Sequence, residues 1–389
     1  PNDPDDPLTD NMATDQTAHA DADIDGDGYT DYVLGSFGYR KSDWAYVTEI
    51  QIAFGPPDPT SSFEDPTVVD GTWRVYKEDD PVLLSSSDWV IRPGGEEPWV
   101  LAAGAHPRNI FDLGGTGLPF VYLLTQDHFE GRLDVEESVR FSTDAPYQSG
   151  FDVATCDANG DGLTDLVGGS YQFTERQPAG QAWVFLGPLT ADRTTDDADF
   201  TVDGLNPEVR FGEGLACVPD LDGKGYDDLL VLRTPHVTAS DEQSLHHFNL
   251  PYDCPSGWCT NEDAHVVVQS DTEFAMHTHE PQVTQDVDGD DVPEFALQIT
   301  FDSDEDEGAA LALMNVPSSG TWLIRDASIF IRADVLDTGI GHKVLSGVDY
   351  DGDGLQDLLV GEWYWNPIQD DVFTHPLGRF MIFRGDSLL

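Results

Sequence analysis

The 389-residue chain is 39% hydrophobic and 11% aromatic, enough for a large core, yet 74 acidic against 18 basic side chains give a formal charge of −56. That charge excludes nucleic acid and anionic membrane surfaces as partners, because phosphate binding needs a basic face. No apolar run approaches ~18 residues, so no transmembrane helix is expected, and acidity at this level suits solubility in cation-rich surroundings.

Residues 1–12, opening "PNDPDDPLTD", read as an acidic Pro-rich linker, a tether left after removal of an upstream secretion signal. A turn of unusual charge follows at 23–31, "DIDGDGYTD". It recurs as "DANGDGLTD" (157–165), "DLDGKGYDD" (220–228), "DVDGDDVPE" (286–294) and "DYDGDGLQD" (349–357), with a worn copy "DLGGTGLPF" at 112–120 that keeps only Asp112. The last three intervals are 63, 66 and 63 residues, so the chain reads as six repeats with an insertion in the first and a shortened second. Apolar runs ending in glycine follow each turn, as in "DYVLGS", "DLVGGS" and "DLLVGE". Later runs such as "IQIAFGPP", "AWVFLGPL" and "FMIFRGDS", then "TWRVYKED", "DFTVDG", "HVVVQSD" and "SIFIRAD", carry the β-branched and aromatic signature of strands. About four strands per repeat predict an all-β chain, a β-propeller of six (alternatively seven) four-stranded blades with ion-binding loops between strands. The blades fall roughly at 13–80, 81–145, 146–204, 205–270, 271–334 and 335–389, one domain over 13–389, the last blade lacking its fourth strand.

In each turn, carboxylates at positions 1, 3, 5 and 9 and a backbone carbonyl at 7 can surround one hard cation, and the glycines permit the tight bend. Oxygen-only ligation in a flexible loop favours Ca²⁺. About four sites are expected. The first uses Asp23, Asp25, Asp27, Asp31 and the carbonyl of Tyr29. The next uses Asp157, Asn159, Asp161, Asp165 and Leu163. Then come Asp286, Asp288, Asp290, Glu294 and Val292, and last Asp349, Asp351, Asp353, Asp357 and Leu355. In the fourth copy Lys224 stands among Asp220, Asp222 and Asp228, and its ammonium is expected to replace the ion. An EF-hand fails, because position 12 is Leu34, Gly168, Val231, Leu297 or Val360, within strand-like runs and never a bidentate Glu.

Four cysteines permit two disulfides in an oxidising compartment: Cys254 and Cys259 around "PSGW", with Cys156 and Cys217 just before two Asp-rich turns. A zinc site using Cys254, Cys259 and the nearby His246, His247 and His265 is the alternative.

These turns and their flanks resemble the FG-GAP/VCBS repeat family, whose best-known members are the integrin α-subunit propellers. "FGEGLACVPDLDGKGYDDLLVL" (211–232) carries the Phe-Gly opening, and "DANGDGLTDLVGGS" (157–170) the calcium loop and exit. The resemblance implies a propeller with Ca²⁺ loops, and functions that range from adhesion to lectins and polysaccharide-active enzymes. Integrin propellers have seven blades; six are counted here. "RGD" at 384–386 matches the integrin recognition tripeptide, a match too short to carry weight.

The reading that follows is a non-enzymatic binding, adhesion or scaffold module, extracellular, cell-surface or periplasmic, with a protein or glycan partner. Trp363, Tyr364 and Trp365 in "GEWYWNP", and Trp44 and Tyr46 in "FGYRKSDWAY", are the candidate contact aromatics. A secreted polysaccharide lyase or hydrolase is the alternative, and a structural subunit of a surface assembly a third. No nucleophile elbow, metalloprotease helix or phosphate loop is present, so no catalytic residues are assigned. "HTH" at 277–279 would place two His on one face of a strand.

Overall fold

The computed structural model describes residues 12–22, 31–40, 45–53, 72–78, 82–90, 100–107, 118–125, 130–132, 139–143, 148–149, 152–172, 180–206, 209–221, 223–235, 243–271, 274–278, 281–290, 292–303, 306–333, 339–348, 356–362 and 379–385. It divides into two compact units, Pro1–Val202 and Asp203–Leu389.

In the first unit, Met12–Ala22, Asp31–Arg40, Ala45–Ala53 and Thr72–Glu78 run up and down as one antiparallel sheet. Val82–Val90, Val100–Pro107, Leu118–Thr125 and Val139–Thr143 form the next. A third holds Val153–Cys156, Asp165–Gln172, Gln181–Phe185 and Phe200–Asp203. The second unit repeats the pattern with Val209–Val218, Asp228–Pro235, Ser244–Phe248 and Val266–Gln269. Phe274–Met276 with Gln282–Val283, then Glu294–Ser303, Asp306–Asn315 and Ile329–Arg332 make its second sheet. Ile340–Val348, Asp357–Glu362 and Arg379–Phe383 make its third. The chain is all-β, and sheets of sequential antiparallel strands of this kind are the building pattern of a β-propeller.

Within each unit neighbouring sheets pack face to face. Val121, Leu123 and Phe141 of one sheet meet Val153, Leu166, Trp183 and Phe185 of the next. Leu230, Leu232 and Leu245 likewise meet Phe295, Leu297 and Ile299. The second strand Asp228–Pro235 has buried residues on both of its faces. This explains why "DLLVL" is a continuous apolar run, with Leu229, Leu230, Val231 and Leu232 at most 1% exposed.

Within the two units, three sheets of the described residues gain a further strand from the following repeat. Glu130–Arg132 pairs parallel with Thr72–Glu78, Arg193–Thr194 with Val139–Thr143, and Gly320–Leu323 with Val266–Gln269. Each comes from the connection between the third and fourth strands of its own sheet. In two of these connections, and in a third after Trp258–Thr260, a 3-10 turn follows: Thr195–Asp197, Asn261–Asp263 and Ile324–Asp326. Each turn is closed by an aspartate that accepts the cap amide: Asp197 from Thr194, Asp263 from Thr260 and Asp326 from Leu323, at 2.9, 2.8 and 3.0 Å.

The structure corrects the second repeat. The stretch 112–120 leads into Leu118–Thr125, the third strand of its sheet, whereas every other Asp-rich turn leads into a second strand. The equivalent connection lies between Val82–Val90 and Val100–Pro107, where the ninth position is Val100. Glycine and aspartate punctuate hairpins of any kind, and "DLGGTG" matched out of phase. In the correct phase neither the insertion nor the shortening is needed.

Candidate metal centre

The Asp-rich turns sit between the first and second strands of their sheets, and the second strand begins at the ninth residue of the turn: Asp31, Asp165, Asp228, Glu294 and Asp357. Position 12 is inside that strand every time, as the argument against an EF-hand requires. Of the first turn only Asp31 is described, and of the last only Gln356 and Asp357; Asp23, Asp25, Asp27, Tyr29, Asp349, Asp351, Asp353 and Leu355 lie outside the described residues, as do Asp112 and Asp222.

The turn at 157–165 is closed by its own backbone. Asp157 accepts from the amides of Asp161 and Gly162, at 2.9 and 2.8 Å, and Asp161 from Leu163 at 2.8 Å. Gly160 and Gly162 adopt φ of 75° and 81°, the left-handed conformation that brings those amides inward. Asp165, fully buried, accepts from Ala158 at 2.9 Å and Gly187 at 2.7 Å. A Cβ on Gly187 would meet Leu163 Cβ and the Thr164 carbonyl at 2.9 Å, so only glycine lets that amide approach. Gly385 repeats the contact with Asp357 Oδ1 at 3.0 Å. The glycine of the "RGD" tripeptide is thus committed to the turn.

In the turn at 286–294 the ligand oxygens of Asp286, Asp288, Asp290 and Glu294 all lie within 4.8 Å of one another. Oxygens about 2.4 Å from a common Ca²⁺ cannot be more than about 4.8 Å apart, so this donor set fits that ion. Glu294, fully buried, accepts from Thr284 Oγ1 at 2.9 Å and from the Val287 amide at 3.2 Å through Oε2. Asn315 Nδ2 donates to Asp290 Oδ2. Burial pushes the Glu294 carboxyl up to about 7, against the pull of its bonds from Thr284 and Val287. Burial likewise pushes Asp165 up to about 7, against its bonds from Gly187 and Ala158. Asp288 is raised by burial and by its neighbours Asp290 and Asp286. With no countercharge inside the turn burial favours the neutral acids; a divalent cation reverses that preference.

The fourth turn has the same backbone. Asp220 accepts from the Lys224 and Gly225 amides at 2.8 Å, and Asp228 Oδ2 from Leu221 at 2.7 Å. The Lys224 ammonium lies 4.4 Å from the centre of the Tyr252 ring. Asp228 Oδ1 faces His247 Nε2 at 3.1 Å, both fully buried.

Cys254 and Cys259 form a disulfide with Cα atoms 5.2 Å apart, and Cys156 and Cys217 are disulfide-bonded too. The zinc alternative therefore fails, because the thiols are spent. Its histidines serve the core. His246 takes a hydrogen bond from Ser244 and donates one to the Asn261 carbonyl, each at 3.0 Å, and burial lowers it to about 4. His265 bonds Asp253 at 2.8 Å. His277 lies just past the short strand Phe274–Met276, so "HTH" is not an in-strand alternation; His279 is outside the described residues.

Among the contact aromatics, Tyr46 is in Ala45–Ala53 opposite Tyr39, while Trp44, Trp363, Tyr364 and Trp365 are outside the described residues. Sequence reasoning missed Tyr252 and Trp258, which flank and enter the disulfide loop and are 68% and 55% exposed. The signal was the "PSGW" loop itself, where a Trp in a cross-linked turn has no sheet face to bury against.

Residues 149–185 match the family model described as FG-GAP repeat, spanning the third turn and its strands. The chain carries an FG-GAP repeat. It is similar to "Integrin alpha-PS2" of Drosophila melanogaster, 33% identical over 90 residues, and to "Integrin alpha-5" of Xenopus laevis, 31% over 88 residues. Each match covers 21% of this chain, and the chain spans only 6% and 8% of those two relatives. Among the described residues no helix is long and apolar enough to cross a membrane.

Proposed function

We propose that this FG-GAP chain is a calcium-stabilised, non-enzymatic binding module that works outside the cytoplasm, as a single propeller of six blades over residues 13–389, and that it engages a protein or glycan partner. The gathering of Asp286, Asp288, Asp290 and Glu294 around one ion-sized space carries the calcium reading. The oxygen-only donors exclude nothing but soft metals, and a loop of four carboxylates favours Ca²⁺ over the more exacting Mg²⁺. Similarity to two integrin alpha chains supports the binding role, and disulfides fit an oxidising compartment. The other sites follow by motif at 23–31, 157–165 and 349–357, with Lys224 as the internal cation of the fourth turn. Exposed Tyr252 and Trp258 join Trp44, Tyr46 and Trp363–Trp365 as contact candidates.

Two measurements test this. Ca²⁺ should raise the melting temperature of EDTA-stripped protein by linkage, and an unchanged melt would overturn the calcium reading. A glycan array and a surface-protein pull-down, both with Ca²⁺ present, should yield one defined partner; turnover of a polysaccharide would overturn the non-enzymatic role.

A further inference from the structure

We infer that the fifth turn, 286–294, binds its cation more tightly than the third, 157–165, and that the carboxylate of Glu294 sets the difference. This rests on the calcium reading above and orders the sites within it.

In the third turn every carboxylate oxygen already accepts a hydrogen bond. Asp157 takes the Asp161 and Gly162 amides, one on each oxygen, and Asp161 takes the Leu163 amide and Asn159 Nδ2. Asp165 takes Ala158 on one oxygen and Gly187 on the other. The backbone thus offsets much of the charge of three acids. The fifth turn holds four acids, with Asp288 where the third has Asn159. Asp286 accepts from Gly289 and Asp290, and Asp290 from Val292 and Asn315. Two buried oxygens there, Asp288 Oδ1 and Glu294 Oε1, have no hydrogen-bond partner. Glu294 is fully buried, and its ligand oxygen lies among those of the other three acids.

The cause can be read in the strands. Leu166 pairs with Phe185, which brings Gly187 beside Asp165; Glu294 pairs with Asn315, which brings Val316 to the same place. The Val316 amide donates instead to the Pro293 carbonyl at 2.9 Å. Among the described residues no amide donates to Glu294 Oε1. A buried acceptor without a donor gains most from a cation, and added ligand charge tightens Ca²⁺ binding.

The test is calorimetric titration of the EDTA-stripped full chain with Ca²⁺, with circular dichroism to confirm folding. E294Q should remove one site from the tighter phase, weakening it about tenfold or more. D288N, at a half-buried position, should do the same and guards against a folding defect in E294Q. D165N should leave the tighter phase intact. Loss of a tight site in D165N, or a tighter phase unchanged in both E294Q and D288N, would overturn the ranking. Absence of any Ca²⁺ uptake by the unsubstituted chain would overturn the calcium reading itself, and the ranking with it.

Discussion

The fourth and fifth turns are neighbours in one unit and differ in the charges they carry. In the fourth, Lys224 stands where its counterparts have an acid, its ammonium 4.4 Å from the centre of the Tyr252 ring, and Asp228 faces the His247 imidazole. Behind that pair, the His247 and His265 rings are 4.2 Å apart, and His265 bonds Asp253. The fifth turn offers four acids and two unpartnered buried oxygens, and on the proposed reading takes its countercharge from solution. On that reading calcium and a lysine are two ways to compensate the same turn.

Removing Ca²⁺ should have the largest effect. Each site held at ~100-fold above its dissociation constant contributes about 2.7 kcal/mol, so chelation should lower the melting temperature well beyond any single substitution. Asp228→Ala comes next. It strands the Leu221 amide and the buried His247, and should cost about 3 kcal/mol in urea unfolding, equally with Ca²⁺ or EDTA. A cost that depends on Ca²⁺ would break the contrast between the turns. Lys224→Asp should convert the fourth turn to the fifth's strategy: about 1 kcal/mol less stable in EDTA, with one more Ca²⁺ bound by calorimetry. Thr284→Val removes one hydrogen bond to Glu294 and should cost about 0.5 kcal/mol, the smallest of these changes.

Acidity sharpens the same contrast. Asp165 and Glu294 have folded-state values raised to about 7, above their ordinary range. Their folded state holds protons that the unfolded chain has released. Their contribution to stability is therefore fully present below about pH 4 and lost as pH rises to about 7. Melts in EDTA should show that decline for the wild type and a smaller one for E294Q, while the Ca²⁺-induced gain should grow over the same window. His246 acts oppositely. Its value of about 4 means stability is lost as pH falls from about 6.5 through 4, with or without Ca²⁺.

Strands were legible because the sheets are covered on both faces, which turns a run such as Leu229–Leu232 into unbroken apolar sequence. The turns were legible because alternating aspartates and glycines have few other uses. The phase of the second repeat was not, since Asp112 marks an ordinary hairpin connection with the same residue types. The Asp-Ala pairs Asp197-Ala198, Asp263-Ala264 and Asp326-Ala327 recur at the 3-10 turns, but two residues are too short a signal without the cap geometry. Two-residue strands such as Arg193–Thr194 exist only through their pairing and leave no periodicity to read. The exposure of Trp258 could not come from alternation, since it opens a three-residue strand beside a cross-linked turn.

The parallel strands contributed by the following repeat have a practical outcome for dissection. Thr72–Glu78, Val139–Thr143 and Val266–Gln269 each have one edge sealed by residues synthesised a repeat later. A scissor placed between two such sheets, however cleanly it follows the repeat boundary, would leave the upstream piece with a raw edge ready to recruit any passing strand. A cut just after the borrowed segment, at Arg132, Thr194 or Leu323, only moves the raw edge, because the fourth strand of the downstream sheet comes later in the chain.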